Sequence, residues 1–235
     1  TLSLHDALPI CKHFSERYYH AIHSGFDKAA EEGANIINIH HAKPLNPVIN
    51  YPFIVRDSLV AFIDHEHKFG RKVKLYYTIR ELTNYAQEIY ALKSLIHEIF
   101  VSGPAYALPL QCEHLIDVYK PAWYTELPQD CSDAALVLNG FSRWINYYLE
   151  GLRWMFENYE IDGIYMDDVS FDRTVMKRIR KIIAKYRPDA LIDLHSNTGY
   201  SIGPANQYTD FFPYVDRLWF ALSFKPFKLF KDEFA

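Results

Sequence analysis

The sequence Gly163-Ile164-Tyr165-Met166-Asp167-Asp168 is an apolar run that ends in two adjacent carboxylates. A short apolar run bounded by turn residues is typical of a strand that is buried on both faces. Polar groups at the carboxyl ends of such strands form the working face of an α/β barrel. The loop after Asp168 leads into a basic segment that is predicted to be a helix from about Thr174. Strand, acidic loop and helix therefore predict one βα unit.

The same alternation of strands and helices continues on both sides of this unit. It predicts a parallel sheet, and the polar residues that follow the strands predict a barrel with one working face. A complete (β/α)8 barrel takes about 250 residues, so we expect an α/β, TIM-barrel-like domain that is incomplete because the chain is a fragment. The predicted strands are 35–41, 72–78, 163–168, 190–195 and 216–220, and the predicted helices are 14–32, 56–69, 86–99, 141–158 and 174–186.

Both ends of the chain depart from this pattern. Residues 1–10 resemble a translated sequencing adapter rather than native protein, and we exclude them from the fold. Residues 223–235 have neither helical nor strand periodicity, which predicts an irregular or truncated end. The barrel domain is therefore expected over residues 11–222, and the native amino terminus is expected to be missing.

Charge, apolar content and aromatic content indicate which kinds of partner the protein has. The formal net charge is −4, and no block of Lys and Arg residues lies outside 177–187, which argues against nucleic acid as the main partner. No apolar stretch reaches the roughly 20 residues of a membrane span. Aromatic residues make up 16% of the chain, and aromatic faces are common stacking surfaces for sugar rings. Nucleotide-binding and serine-esterase motifs are absent from the sequence, so we expect no cofactor. The oligomeric state stays open.

Asp167 and Asp168 are the strongest catalytic candidates. Two carboxylates at one barrel mouth differ in pKa because like charges oppose joint ionisation, and this provides one acid and one base or nucleophile. Neighbouring strand residues point to opposite faces, so both reach one substrate only if the backbone turns at the strand end. The alternative is structural: one carboxylate caps the next helix and the other pairs with Arg173.

The expected substrate contacts follow the ends of predicted strands or lie in the loops between them. His40 and His41 are expected to bind sugar hydroxyls, with metal ligation as the alternative. Arg80 and Glu81 form either a buried ion pair or a site in which Glu81 is an acid. The predicted substrate-binding residues are His40, His41, Asn50, Tyr77, Arg80, Glu81, Tyr165, Asp172, Arg173, His195, Asn197 and Trp219.

Five stretches of the chain resemble bacterial glycoside-hydrolase-like barrel proteins similar to glycoside hydrolase family 123. They are 46–53, 73–82, 142–154, 163–173 and 214–220. The resemblance implies substrate-assisted removal of N-acetylgalactosamine by an adjacent Asp-Glu pair, and it implies a periplasmic or secreted protein. Asp167 would orient the sugar amide, and Asp168 would be the acid in place of the family's Glu. Ala221-Leu222 also stands where the family pattern has Gly-Glu.

The sequence therefore predicts a glycoside hydrolase that acts on a polysaccharide or glycan through Asp167 and Asp168. Two alternatives remain open at this point. One is a non-catalytic carbohydrate-binding barrel, in which the carboxylates only bind sugar hydroxyls. The other is a metal-dependent hydrolase or deacetylase that uses His40, His41, Asp167 and His195 as ligands.

Overall fold

A computed structural model gives the fold of the chain. It describes residues 18–21, 33–41, 43–79, 81–83, 85–95, 98–100, 133–136, 142–168, 172–196 and 213–220. The two predicted ends, residues 1–10 and 223–235, lie outside these ranges, and so do the predicted site residues Arg80 and Asn197.

In the described part of the chain, six strands form one parallel sheet. The six strands are β1 Tyr18–Ala21, β2 Ile36–Ile39, β3 Lys72–Tyr76, β6 Gly163–Asp168, β7 Leu191–Ser196 and β8 Arg217–Phe220. They lie in the sheet in this same order, so that each crossover joins neighbouring strands. The other two, β4 Glu81–Thr83 and β5 Asp133–Ala135, pair antiparallel.

Helices cover the outer face of the sheet, as expected for strands that are linked by crossovers. They are α1 Arg56–Lys68, α2 Ile89–Lys93, α3 Trp144–Asn158 and α4 Arg173–Tyr186, with a 3-10 turn at Pro52–Val55. One stripe of α3, which includes Trp144, Tyr148 and Leu152, is buried. Asp172 caps α4, because its carboxylate accepts from the amides of Thr174 and Val175. No helix among the described residues is long and apolar enough to span a bilayer.

The two faces of the sheet differ in chemistry. Successive strand residues point to opposite faces, and one set of alternating residues packs with the helices in the main hydrophobic core. This outward set is Ile37, Ile39, Val73, Leu75, Ile164, Met166, Ile192 and Leu194. The opposite set faces the barrel interior and consists mainly of buried polar and aromatic residues, namely Asn38, Lys74, Tyr76, Tyr165, Asp167, Asp193 and Arg217.

Most predicted elements are confirmed. Strand 163–168 has the predicted bounds, and the strands near 36, 72, 191 and 217 and the three long helices are present within a few residues of their predicted ends. The predicted helix 14–32 is wrong at residues 18–21, which pair with β2. The sequence has Tyr18, Ile22 and Phe26 at helical spacing, and the four residues of β1 are too few to show the alternation of a strand. The predicted helix 86–99 is reduced to Ile89–Lys93.

Gly163 fixes the start of β6. Its φ is +156°, and a Cβ there would lie 2.1 Å from the carbonyl oxygen of Leu191. This contact lies within the ladder that joins β6 to β7. A side chain at this position would therefore push apart the two strands that carry the candidate site.

We expect Gly163→Ala to lower the free energy of unfolding by about 3 kcal/mol or more, in the range of severe backbone clashes. Gly70→Ala is the matched control, because Gly70 also has a positive φ, +69°, but has nothing within 4 Å of its added Cβ. The control should lose only about 1 to 2 kcal/mol. Urea unfolding followed by circular dichroism measures both, and equal losses would contradict this account.

Candidate functional site

Asp167 is held near the carboxyl end of β6 by contacts from β3 and the residues after it. The Tyr76 hydroxyl donates to the Asp167 carboxylate oxygen Oδ2 at 3.0 Å. The Thr78 hydroxyl donates to the Asp167 carbonyl oxygen at 3.2 Å and accepts from the Asp167 amide at 3.3 Å. Both the side chain and the main chain of Asp167 are therefore fixed in place, with the residue only 5% exposed.

Aromatic rings pack against the ring of Tyr76, whose hydroxyl binds Asp167. The ring centroids of His40 and His41 lie 4.3 and 4.5 Å from that of Tyr76. The Tyr165 ring lies 5.8 Å from Tyr76 and 6.3 Å from His40. Tyr76, Tyr165 and Ile49 form a small buried cluster that is separate from the main core. Predicted contacts His40, His41 and Tyr165 are thus brought together with Asp167.

Strand register aligns two further predicted residues with Asp167, one on the neighbouring strand and one on the strand after it. The Cα atom of Asp167 pairs with that of His195 on β7, and His195 pairs in turn with Trp219 on β8. Asp168 pairs with Ser196. Asp168 occupies the register phase of Ile164 and Met166, whose side chains pack in the main core. The backbone turn that would bring both carboxylates to one substrate remains a prediction.

Tyr77 is not part of this cluster. Its ring stacks on that of Tyr148 of α3 at 4.5 Å, and the two hydroxyls donate to each other's main-chain carbonyl oxygens, Tyr77 to Tyr148 at 3.2 Å and Tyr148 to Tyr77 at 2.9 Å. Burial raises the pKa of both hydroxyls well above the ordinary value, so both stay protonated as donors. The structure places this predicted substrate contact between sheet and helix.

Of four other predicted contacts, three have partners within the protein and the fourth, Glu81, is buried. The Asn50 amide donates to the carbonyl oxygens of Thr78 and Glu81 at 2.8 and 2.6 Å, and so ties its loop to the ends of β3 and β4. Asp172 caps α4, so the cap that was the alternative role for Asp167 or Asp168 belongs to Asp172. The Arg173 guanidinium donates to the Tyr214 hydroxyl at 3.1 Å near the surface. Glu81 is buried in β4.

Tyr76 is the residue that the sequence interpretation missed. The predicted strand 72–78 contains two adjacent tyrosines, and only the phase of alternation decides which one faces the barrel interior. Lys74 is the signal that could have settled this, because a charged residue within an apolar strand marks the interior phase, which Tyr76 shares. Tyr77 shares the phase of Val73 and Leu75 and belongs to the main core.

A metal site was the alternative role for His40 and His41. Within the ranges that the structure describes, no group of three or more His, Cys, Asp or Glu side chains is arranged to hold a metal ion. The two imidazole rings lie against each other at 4.3 Å and against Tyr76.

Comparison with protein families assigns almost the whole chain. Residues 10–234 match the model of the family described as glycoside hydrolase 123, TIM-barrel domain. The chain belongs to this family. The match confirms both the resemblance found in the sequence and the TIM-barrel fold class, and it supports a glycoside hydrolase without defining the substrate.

Solved structures similar to this glycoside hydrolase 123 domain share its fold at low identity. An alpha-amylase from Geobacillus thermoleovorans, complexed with acarbose, is 14% identical with a TM-score of 0.52, over 81% of this chain and 42% of its own. An Anoxybacillus alpha-amylase is 15% identical, with the same TM-score and coverage. The chain thus spans less than half the length of these structures. A comparison with curated proteins gives no match.

The glycoside hydrolase 123 domain has a buried ion pair on the interior face of the sheet, nearer than Asp167 to the amino ends of the strands. Lys74 precedes Tyr76 by two residues on β3, and its ammonium forms a salt bridge with the Asp193 carboxylate of β7. Both side chains are fully buried. Burial lowers the pKa of the Lys74 ammonium, and attraction from Asp193 opposes this shift. The pair spans the strand between them and so connects β3 to β7 beneath Asp167.

Lys74→Met is expected to lower the free energy of unfolding by about 3 to 5 kcal/mol, because it removes the cation from a buried carboxylate. The double variant Lys74→Met/Asp193→Leu removes both charges and is expected to recover most of this loss. Urea unfolding of the single and double variants measures the difference. A double variant that is less stable than either single variant would contradict a compensated ion pair.

Proposed function

We propose that this domain hydrolyses the glycosidic bond of an N-acetylhexosaminide, with Asp167 as the central carboxylate. The observation that carries the proposal is the setting of Asp167, which is a nearly buried acid at the carboxyl end of a barrel strand and is bound by Tyr76 and Thr78. A buried carboxylate in a fixed orientation costs stability unless it has partners. Membership of the glycoside hydrolase 123 family supports the same reaction class.

Substrate-assisted cleavage suits a site that is built around one fixed carboxylate. In this mechanism the 2-acetamido oxygen of the sugar attacks the anomeric carbon while Asp167 accepts a hydrogen bond from the amide N–H. The bond from the anomeric carbon to the leaving oxygen breaks, and that oxygen takes the proton of Asp168. Water then opens the cyclic intermediate at the anomeric carbon and returns a proton to Asp168. No protein carboxylate has to act as the nucleophile.

The aromatic surroundings fit a sugar substrate. The His40 and Tyr165 rings pack on the buried Tyr76 ring, whose hydroxyl binds Asp167, and the register places Trp219 two strands away from Asp167. Ring faces stack on the C–H face of a pyranose, while imidazole nitrogens exchange hydrogen bonds with its hydroxyls. In this proposal the rings bind the sugar and Asp167 orients its amide.

Asp167→Asn is expected to lower kcat/KM about 10²- to 10⁴-fold, the range of a lost acid–base or orienting group. The assay is hydrolysis of a panel of chromogenic glycosides that includes N-acetylhexosaminides. Asp162→Asn is the matched control, since Asp162 lies immediately before β6 at its opposite end, where it binds His67 and the Val73 amide. The control should keep wild-type activity per folded molecule.

The panel also separates the competing functions. Cleavage of N-acetylhexosaminides that is lost in Asp167→Asn supports the proposal. Cleavage that Asp167→Asn leaves unchanged would overturn the role of Asp167. No cleavage of any member, together with measurable glycan binding by calorimetry, would favour a carbohydrate-binding barrel.

A further inference from the structure

We propose that Tyr76 is a positioning residue, whose hydroxyl fixes the orientation and the ionised state of the Asp167 carboxylate. The inference rests on the proposed function of Asp167, but it concerns a different residue and a different property. Tyr76 was not among the residues that the sequence motifs indicate. The structure singles it out, since its hydroxyl reaches the carboxylate itself at 3.0 Å.

The first step of the argument is the type of bond. A phenol that donates to a carboxylate forms a charge-assisted hydrogen bond, which is shorter and stronger than a bond between neutral groups. Tyr76 is fully buried and Asp167 nearly so, so water competes little with this contact. The bond therefore favours the rotamer of Asp167 that presents Oδ2 to β3.

The second step is the rigidity of the donor. The His40 and His41 rings pack on Tyr76 at 4.3 and 4.5 Å. The Asn46 amide donates to the Tyr76 carbonyl oxygen at 3.1 Å and ties the main chain at this point. A ring that is packed on both histidines and on Tyr165 keeps its hydroxyl at one place. Asp167 is then aligned by a donor that does not move when substrate enters.

The third step is a comparison with the adjacent tyrosine. Tyr77 has the same chemistry and burial, yet its hydroxyl donates to a main-chain carbonyl oxygen of α3. That contact joins the sheet to a helix. Tyr76 packs in a separate small cluster with Ile49 and Tyr165. Of the two adjacent tyrosines, the one that faces the barrel interior is the one whose hydroxyl binds a carboxylate.

Two consequences distinguish positioning from packing. A donated hydrogen bond stabilises the ionised carboxylate, so loss of the hydroxyl moves the protonation of Asp167 to higher pH. A released carboxylate also loses its alignment, and a small misplacement in a catalytic group lowers the rate about 10- to 100-fold. A tyrosine that only fills space would change stability without either effect.

The test compares wild type with Tyr76→Phe, which removes one oxygen atom. The first readout is the carboxyl ¹³C NMR titration of Asp167, assigned by the loss of its signal in Asp167→Asn. We expect the midpoint to move to higher pH in Tyr76→Phe. The second readout is hydrolysis of the best chromogenic glycoside, with kcat expected to fall about 10- to 100-fold and the acidic limb of its pH profile to move in the same direction as the titration.

Tyr148→Phe is the matched control. It removes a buried tyrosine hydroxyl that donates to the Tyr77 carbonyl oxygen at 2.9 Å, so it is expected to lower stability by a similar amount. It should leave the Asp167 titration and kcat at wild-type values. Thermal unfolding of both variants verifies that the comparison is made between folded proteins.

A second substitution keeps the test decisive if Tyr76→Phe does not fold. Incorporation of 3,5-difluorotyrosine at position 76 makes the hydroxyl a stronger donor at almost constant shape, so the Asp167 midpoint should move to lower pH. An unchanged midpoint in the folded variants would overturn the inference. The NMR readout needs no turnover, so an inactive wild type would contradict the proposed function alone, whereas an active wild type with unchanged Tyr76→Phe kinetics and titration would contradict the inference alone.

Discussion

The register of β6 between β3 and β7 is the constraint on which the rest of the site depends. It pairs Tyr165 with Tyr76 and Asp167 with His195. Because side chains alternate across a strand, a slip by one residue would exchange Asp167 for Met166 on the interior face. This register brings the Gly163 backbone so close to the Leu191 carbonyl oxygen that no Cβ fits there. It therefore requires glycine at position 163. The position of Asp167 on the interior face thus depends on a close contact between the main chains of β6 and β7.

Both faces of the sheet are buried, but their side chains differ: one set is apolar and the other is mainly polar. The outward residues pack against helices and stabilise the fold through apolar contact. The inward residues are polar, and each buried polar group needs a partner. Lys74 and Asp193 satisfy each other, and Tyr76 and Thr78 satisfy Asp167. Hydrogen bonds and an ion pair, as well as packing, therefore fix the interior side chains from Lys74 and Asp193 to Asp167.

The sequence predicts the repeating part of this arrangement well. Strand 163–168 and helix α3 have strong periodicity, and both were found as expected. Short elements such as β1 carry too little pattern to separate strand from helix. Within the site, Asp167 was evident because it ends an apolar run, but Tyr76 was not, because it differs from Tyr77 only in the phase of alternation. Contacts such as the cap by Asp172 depend on where a helix begins, which sequence fixes only to within a few residues.

The described contacts to Asp167 come from a short stretch of the chain. Tyr76 is the last residue of β3 and Thr78 follows it by two residues, and β3 pairs directly with β6. Among its described residues, the long excursion after Thr78, residues 79–162, contributes α3 and the β4–β5 pair. In barrel enzymes the loops after the strands set specificity while the strand ends hold the chemistry. Under the proposed function, changes in that excursion are therefore expected to alter which sugar is bound, while Tyr76 and Thr78 keep Asp167 in place.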